Sequence, residues 1–255
     1  IAESLGDVKS LAESWNHLGL VSRMSGHDER GRDEFERALA LFRECGDARG
    51  IAATAIRLGV QDLRCERHDA AHRLFMEALD VSRSCGDRVS EAMALTRLGR
   101  LAHRESRLEL ARELYERALE IHTAIGSPLW QVHGETSIAA LETQRGNLDA
   151  ADAHCRRAVQ IAESLEHVAS LADALHVRGS LDIERGSVAS GVRTISTSLN
   201  LRRTGAGRLP PHEQRRLDAL LERARAVIGA EFESAWAAGE TDRWQDCVRR
   251  ISSPG

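Results

Sequence analysis

Three residues in the first half of the chain are of types that can bind a metal ion. Cys65, His68 and His72 have the spacing C-x-x-H-x-x-x-H. A thiolate and two imidazoles can coordinate zinc while water fills a fourth position, so the spacing permits a metal-dependent role. The corresponding turns elsewhere in the chain lack these residues. We therefore expect two exposed histidines and a packed thiol, and we assign no metal ligand and no cofactor.

The sequence contains none of the short motifs that mark common catalytic sites. We find no phosphate-binding loop G-x-x-x-x-G-K-[ST], no nucleophile elbow G-x-S-x-G, no zinc motif H-E-x-x-H and no dinucleotide-binding fingerprint. Each of these motifs places the amides, nucleophile or metal ligands that its reaction needs. We predict that the chain is not an enzyme.

Charge and hydropathy argue against nucleic acids and membranes as partners. The 255 residues carry a formal net charge of -4, whereas a protein that binds nucleic acid through its overall surface is basic. No apolar run approaches the roughly 20 residues that a membrane-spanning helix needs. The N-terminus has no basic and apolar leader, and the five cysteines are odd in number and scattered. We therefore expect a cytoplasmic protein that contacts neither nucleic acid nor a membrane.

The elements of the chain recur with a period of 40 residues. Leu-Gly pairs begin at Leu18, Leu58 and Leu98, and alanines at Ala38 and Ala78 keep the same interval. The alanine series continues at Ala118, Ala158 and Ser198, and a Gly-Asp pair recurs at Gly6, Gly46 and Gly86. Independent series with one period indicate a repeat array, in which each unit buries its apolar face against its neighbours.

Each period predicts a pair of helices joined by a turn. Ala52 and Leu58 lie on the apolar face of the first helix in the second period. An acidic residue in the first turn of the second helix would interact favourably with the helix dipole. That helix carries an aromatic residue in the first three periods, at Phe35, Phe75 and Tyr115. It would end at the Gly-Asp pair, where glycine adopts a left-handed conformation and aspartate caps the next helix.

This pattern resembles the tetratricopeptide repeat. The signature positions of that family are occupied in the first period by Trp15, Leu18, Gly19, Gly26, Phe35 and Ala38. The resemblance implies an all-α, TPR-like right-handed superhelix of about five 40-residue helix-turn-helix repeats over residues 8–205. Residues 1–7 would be the end of a truncated preceding repeat, and residues 206–255 a capping helix and C-terminal tail.

The C-terminal segment predicts a cap for the last repeat. A helix from Pro211 to about Gly229 would cover the exposed face of the array. Its apolar stripe would consist of Leu217, Leu220, Leu221, Ala224, Val227 and Ile228. The ending with Phe232, Trp236 and Gly239 is similar to the one that closes the repeat region of actinobacterial multidomain ATP-dependent transcriptional regulators of the LuxR or AfsR type. That resemblance implies a sensory or regulatory module of a larger protein.

In the tetratricopeptide family the first helix of each pair lines the groove that binds partners. The resemblance assigns to this groove Asn16, Arg23, Arg64, Thr96, Arg100, His103, Arg104, His133, Thr136, Gln144 and His176. Four of these, Arg64, Arg100, His103 and Arg104, could hold carboxylates of a peptide or an acidic helix, because guanidinium groups pair bidentately with carboxylates. Solvated arginines of an arginine-rich protein are the alternative interpretation. The lysine and asparagine clamp of chaperone-binding members is missing, which argues against chaperone tails.

These observations favour a protein- or peptide-interaction module, whose partner is another protein, a peptide or another domain of the same parent chain. The resemblance of the tail implies the regulatory repeat domain of an ATP-dependent transcriptional regulator. The alternatives are a free-standing adaptor or scaffold protein without an ATPase, and a metal-dependent role at Cys65, His68 and His72.

Overall fold

The structure is a computed structural model that describes residues 2–206, 209 and 211–252, with side chains in 7–204, 209 and 213–251. Within these residues it has thirteen α-helices, one short π-helix at Arg202–Ala206 and no strand. The prediction of an all-α chain is therefore confirmed for the described residues. None of the helices in these ranges combines the length and apolar character needed to cross a membrane.

The first ten helices form five consecutive pairs joined by short turns. The pairs are α1 (Ala2–Met24) with α2 (Asp28–Cys45), α3 (Ala48–Arg64) with α4 (His68–Ser84), α5 (Arg88–Arg104) with α6 (Leu108–Ala124), α7 (Pro128–Gln144) with α8 (Leu148–Ser164), and α9 (Val168–Glu184) with α10 (Val188–Leu201). The chain divides into two compact units, Ile1–Ile125 and Gly126–Gly255. Unit 1 contains the first three pairs, and unit 2 contains the last two pairs and the C-terminal helices.

The Gly-Asp pairs at Gly46 and Gly86 end one helix and begin the next, as predicted. Gly46 follows α2 with a φ of 71°, a left-handed conformation that glycine adopts without strain. The side chain of Asp47 then accepts a hydrogen bond from the amide of Gly50 at 3.2 Å. Asp87 caps α5 in the same way, through the amide of Ser90 at 3.2 Å. These carboxylates satisfy amides that the first turn of a helix leaves without a partner.

The recurring glycine lets an aromatic ring of the second helix pack directly on the backbone of the first. A Cβ atom placed on Gly59 would lie 2.5 Å from Cε1 of Phe75, and one on Gly99 would lie 2.7 Å from Cδ1 of Tyr115. The fourth period lacks this pair and has Ala139 and Cys155 at the two positions, packed in one buried cluster. The smaller thiol leaves room for the methyl group of the alanine.

The start of the chain differs from its prediction. The sequence predicts a helix end at Gly6-Asp7, whereas α1 is one continuous helix from Ala2 to Met24. A glycine inside a helix costs only about 1 kcal/mol relative to alanine, so the continuous helix is the more stable arrangement. The helix boundary predicted here is therefore wrong.

Three helices follow the last pair, α11 (Pro211–Ile228), α12 (Glu231–Thr241) and α13 (Trp244–Ser252). The predicted break near residues 204–211 lies partly outside the described residues, since 207, 208 and 210 are not among them. On α11, Leu217 and Ala224 are buried as predicted. Val227 is 70% exposed, so its inclusion in the apolar stripe was wrong. It lies on the edge of that stripe, about 80° from its centre at 100° per residue.

The close approach of α12 to α10 explains the glycine of the C-terminal ending. A Cβ atom on Gly239 would lie 2.2 Å from the carbonyl oxygen of Arg193. Across the same contact, the hydroxyl of Ser196 donates to the carbonyl of Trp236 at 2.8 Å, and that of Thr197 donates to the carbonyl of Gly239 at 3.1 Å. A bidentate ion pair between Arg193 and Asp242 completes it, with N–O distances of 2.7 and 2.6 Å.

Candidate partner-binding face

The first helices of the three pairs in unit 1 follow one another in space, with α1 in contact with α3 and α3 in contact with α5. Along this row lie four half-buried arginines, Arg23 of α1, Arg57 of α3, and Arg97 and Arg100 of α5. Arg57 and Arg97 occupy the same position in successive periods. We call these four residues the arginine face.

The arginine face concentrates positive charge at a poorly solvated place. Burial, together with the charges of Arg100 and Arg23, lowers the pKa of Arg97 to about 10. The pKa of Arg57 is lowered by burial and by the charge of Arg23. The Nε atoms of Arg23 and Arg97 are buried and have no hydrogen-bond partner in the described residues. Both burial and like charges oppose the charged form of a guanidinium group.

Several other arginines of unit 1 form ion pairs. These pairs include Arg30 with Glu34, Arg32 with Asp62, Arg43 with Glu77, Arg64 with Asp28, Arg67 with Glu29, and Arg83 and Arg88 with Glu91. Within the described residues, Arg23, Arg57 and Arg97 take part in no such pair. Arg23, Arg57 and Arg97 are therefore half-buried arginines without a carboxylate partner among the described residues. The other arginines of unit 1 without such a pair are exposed to solvent, namely Arg37, Arg49, Arg73, Arg104 and Arg117.

The structure distributes the other groove residues predicted in unit 1 over several environments. Asn16 and Thr96 are buried, and the hydroxyl of Thr96 donates to the carbonyl of Ala92 within its own helix at 2.9 Å. Arg64 pairs with Asp28, at 2.9 Å between Nε and Oδ1. The structure thus does not bring the predicted cluster of Arg64, Arg100, His103 and Arg104 together as a set of unpaired cations.

His103 and Arg104 lie at the end of α5, where His103 occupies the same repeat position as Arg23 and Leu63. The ring of His103 meets the ring of Tyr115 edge to face, with centroids 6.3 Å apart. Arg104 is exposed. Of the predicted groove residues, only Arg23 and Arg100 belong to the arginine face.

Three of the groove residues predicted in unit 2 already interact within the unit. The ring of His133 packs on Trp130, with centroids 5.4 Å apart. Thr136 is buried, and its hydroxyl donates to the carbonyl of Val132 at 2.9 Å. The side-chain oxygen of Gln144 accepts a long hydrogen bond of 3.4 Å from Arg216.

His176, the fourth residue predicted in unit 2, lies beside an ion pair. Its imidazole adjoins the pair formed by Asp173 and Arg202. Burial, the largest cause, and the charge of Arg202 lower the pKa of His176 to about 4. The Nδ1 atom of His176 is buried without a hydrogen-bond partner in the described residues. The ring is therefore neutral at physiological pH and closely packed.

Sequence reasoning missed Arg57 and Arg97. The family register assigned neither of them to the groove, although both are arginines at one repeat position. The recurrence of arginine at one repeat position in successive periods was the signal that could have identified them. Their burial could not be read from the sequence, because it depends on how the row of first helices packs.

The structure does not bring Cys65, His68 and His72 together as a metal site. Within the described residues no group of three His, Cys, Asp or Glu side chains could hold a metal ion. His72 is exposed on α4, and Cys65 lies in the turn after α3. Burial and the charge of Glu29 raise the pKa of the Cys65 thiol, which disfavours the thiolate that a metal requires.

Comparison with known proteins identifies repeats in both units. Residues 50–124 and residues 136–166 match family models that are each described as tetratricopeptide repeat. A comparison with curated proteins gives no match.

Three solved structures illustrate the proteins of similar fold. BtubC (BKLC) from P. vanneervenii has a TM-score of 0.66 and 19% identity, over 80% of this chain and 84% of that chain. The apo form of RapI has a TM-score of 0.64 and 17% identity, over 91% and 85%. A putative kinesin light chain from Podosopora anserina with TPR-like repeats has a TM-score of 0.61 and 13% identity, over 77% and 96%. Residues 50–124 and 136–166 therefore contain tetratricopeptide repeats, and the likeness to these structures shows a similar fold.

Proposed function

We propose that the chain is a protein- or peptide-interaction module and that its partner binds along the first helices of unit 1. The observation that carries this proposal is the arginine face. Its guanidinium groups are half-buried, and those of Arg23, Arg57 and Arg97 have no carboxylate partner among the described residues. Buried charged groups in folded proteins are normally paired, so an unpaired set on a row of helices indicates that the counter-charge comes from another molecule.

Partner capture followed by reconstitution tests this function. The 255-residue protein is immobilised and exposed to an extract of its source cells, and retained proteins are identified and purified. The binding constant of each is then measured with the unaltered protein and with the double variant Arg57→Gln/Arg97→Gln. The matched control is Arg43→Gln, which alters an arginine of unit 1 already paired with Glu77. A purified protein that binds the unaltered protein and Arg43→Gln equally well supports the function. If no retained protein binds after purification, the function is contradicted.

We further infer that the module is the regulatory repeat domain of a larger ATP-dependent transcriptional regulator. The resemblance of the ending with Phe232, Trp236 and Gly239 supports this. Partner binding to the repeats would then shift the equilibrium between the inactive and active states of the ATPase. The shift can be no larger than the difference in the partner's binding free energy between the two states.

The intact mass of the native polypeptide tests the regulator hypothesis. A mass far above 28.1 kDa, together with ATP binding by that polypeptide, is expected. A native polypeptide close to 28.1 kDa would contradict it and leave a free-standing adaptor or scaffold, whose partner is found by the same capture experiment.

A further inference from the structure

The arginine face contains apolar side chains as well as charges. Leu20 and Val60 occupy the same repeat position as Arg100, and Leu63 occupies the same repeat position as Arg23. All three apolar side chains are partly buried against the core of unit 1. Equivalent positions on successive first helices point to the same side of the row, so the arginines and the apolar groups are presented together.

The carboxylate that interacts with the charge of Arg23 is Asp28, which is already hydrogen-bonded to other residues. Hydrogen bonds from Arg64 and Gln61 lower the pKa of Asp28, and the charge of Arg23 also acts to lower it. The charges that act on Arg57 and Arg97 are those of other arginines. A ligand that brought oxyanions to these groups would satisfy buried N–H donors and relieve the repulsion between like charges.

We propose that the arginine face binds an acidic segment of a partner polypeptide, whose carboxylates pair with Arg57 and Arg97 while its apolar side chains cover Val60 and Leu63. This inference rests on the proposed function and names the chemistry of the partner. A small inorganic anion could pair with the guanidinium groups but would leave the apolar side chains uncovered. The mixed character of the face therefore favours a polypeptide over a free phosphate ion.

Titration with designed peptides tests the inference on the whole 255-residue protein. Fluorescence anisotropy measures binding of a labelled peptide that alternates Glu with Leu and of its counterpart with Gln in place of Glu. Inorganic phosphate serves as a competitor. We expect the acidic peptide to bind and the Gln peptide to bind at least about 10-fold more weakly, because each bidentate pair joins two charged groups. Arg57→Gln and Arg97→Gln should each weaken the acidic peptide by about 10-fold, and Arg43→Gln should leave it unchanged.

The outcomes separate this inference from the function on which it rests. Equal binding of the two peptides, or no binding of the acidic one, overturns the acidic partner. If Arg43→Gln loses as much affinity for the acidic peptide as Arg97→Gln does, the peptide is attracted by positive charge in general and not by this face. That result also overturns the acidic partner. If phosphate displaces the acidic peptide completely at a concentration equal to that of the peptide, the face binds anions in general. That result contradicts a polypeptide partner. A purified cellular partner that binds Arg57→Gln/Arg97→Gln normally refutes the inference while the interaction function stands.

The stability of the free protein provides a second measurement that needs no ligand. Arg97→Met removes a half-buried charge without a partner and keeps the apolar stem, so we expect the melting temperature to rise by a few degrees. Arg32→Met is the matched comparison, because Arg32 pairs with the buried Asp62 at 2.8 Å. It should lower the melting temperature. If Arg97→Met lowers it equally, the guanidinium group is structural and the proposal fails.

Discussion

The contact between the recurring glycine and the aromatic ring can be tested by replacing Gly59 and Phe75 of the second period with the alanine and cysteine that the fourth period has at these positions. Replacing Gly59 with alanine would place a methyl group 2.5, 2.9 and 3.0 Å from three atoms of the Phe75 ring. Ordinary carbon–carbon contacts are about 3.5–4 Å, so the ring must move by about 1 Å. Phe75 is fully buried in the core of unit 1 and has no room for this movement.

The magnitude follows from two opposing effects. Overpacking of a buried side chain costs about 1–3 kcal/mol, whereas replacement of glycine by alanine inside a helix gains about 0.5–1 kcal/mol. We therefore expect Gly59→Ala to lower the free energy of unfolding by about 1–2 kcal/mol. In a Phe75→Cys background the overpacking disappears, and the same change should be neutral or stabilising. The coupling energy between the two substitutions is then about 1–3 kcal/mol.

Urea denaturation followed by far-ultraviolet circular dichroism of the single and double variants measures this coupling. The control combines Phe75→Cys with Gly19→Ala, because a Cβ atom on Gly19 would meet Phe35 and not Phe75. These two changes should be additive to within about 0.5 kcal/mol. If Gly59→Ala has the same cost with and without the Phe75 ring, the explanation of the glycine by ring packing is refuted.

Three further predictions concern unit 2. Gly239→Ala should weaken the packing of α12 on α10 by about 1–3 kcal/mol, because the backbone carbonyl of Arg193 cannot yield to a methyl group; faster proteolysis within α12 would show it, and an unchanged cleavage rate would contradict it. Asp242→Asn should cost about 1–3 kcal/mol in urea denaturation, since an amide cannot accept both hydrogen bonds of the Arg193 fork; a cost no larger than that of an exposed surface substitution would argue against the pair. The folded-state pKa of His176, about 4 against 6.5, predicts stability that is complete above pH 6.5 and declines as pH falls towards 4. The loss reaches about 3 kcal/mol, and His176→Gln should remove this part of the pH dependence of unfolding.

The repeat pattern allowed the fold to be predicted because its signals are local. Gly46-Asp47 specifies a helix end and a helix start by backbone conformation and capping alone, and the structure has both. The pair at Gly6-Asp7 has the same residue types, yet the helix continues through it. A glycine can end a helix, but the residue types of the pair do not by themselves decide whether it does.

The candidate binding face was harder to predict. A repeat position determines on which side of its helix a residue lies, but not how deeply the residue is buried or what it pairs with. Thr96 lies at a groove position, but its hydroxyl donates to a carbonyl of its own helix and its side chain is buried. Arg57 lies outside the family's groove positions, and it becomes part of the candidate face only because the neighbouring helices enclose it. The exposure of a side chain and its ion pairs both depend on how neighbouring repeats pack, and this packing cannot be inferred from the residues of one repeat.

Recurring residues in this chain fall into two kinds, and the difference supports the assignment of the face. Gly59 and Phe75 recur because each satisfies the packing of the other, and in the fourth period they change together to Ala139 and Cys155. Arg57 and Arg97 also recur, but burial and like charge both act against them. An apolar side chain at either position would fill the same space at lower cost to the free protein. The packing of this fold therefore explains the glycine and the ring but does not explain the arginines, for which the proposed acidic partner would supply the counter-charge.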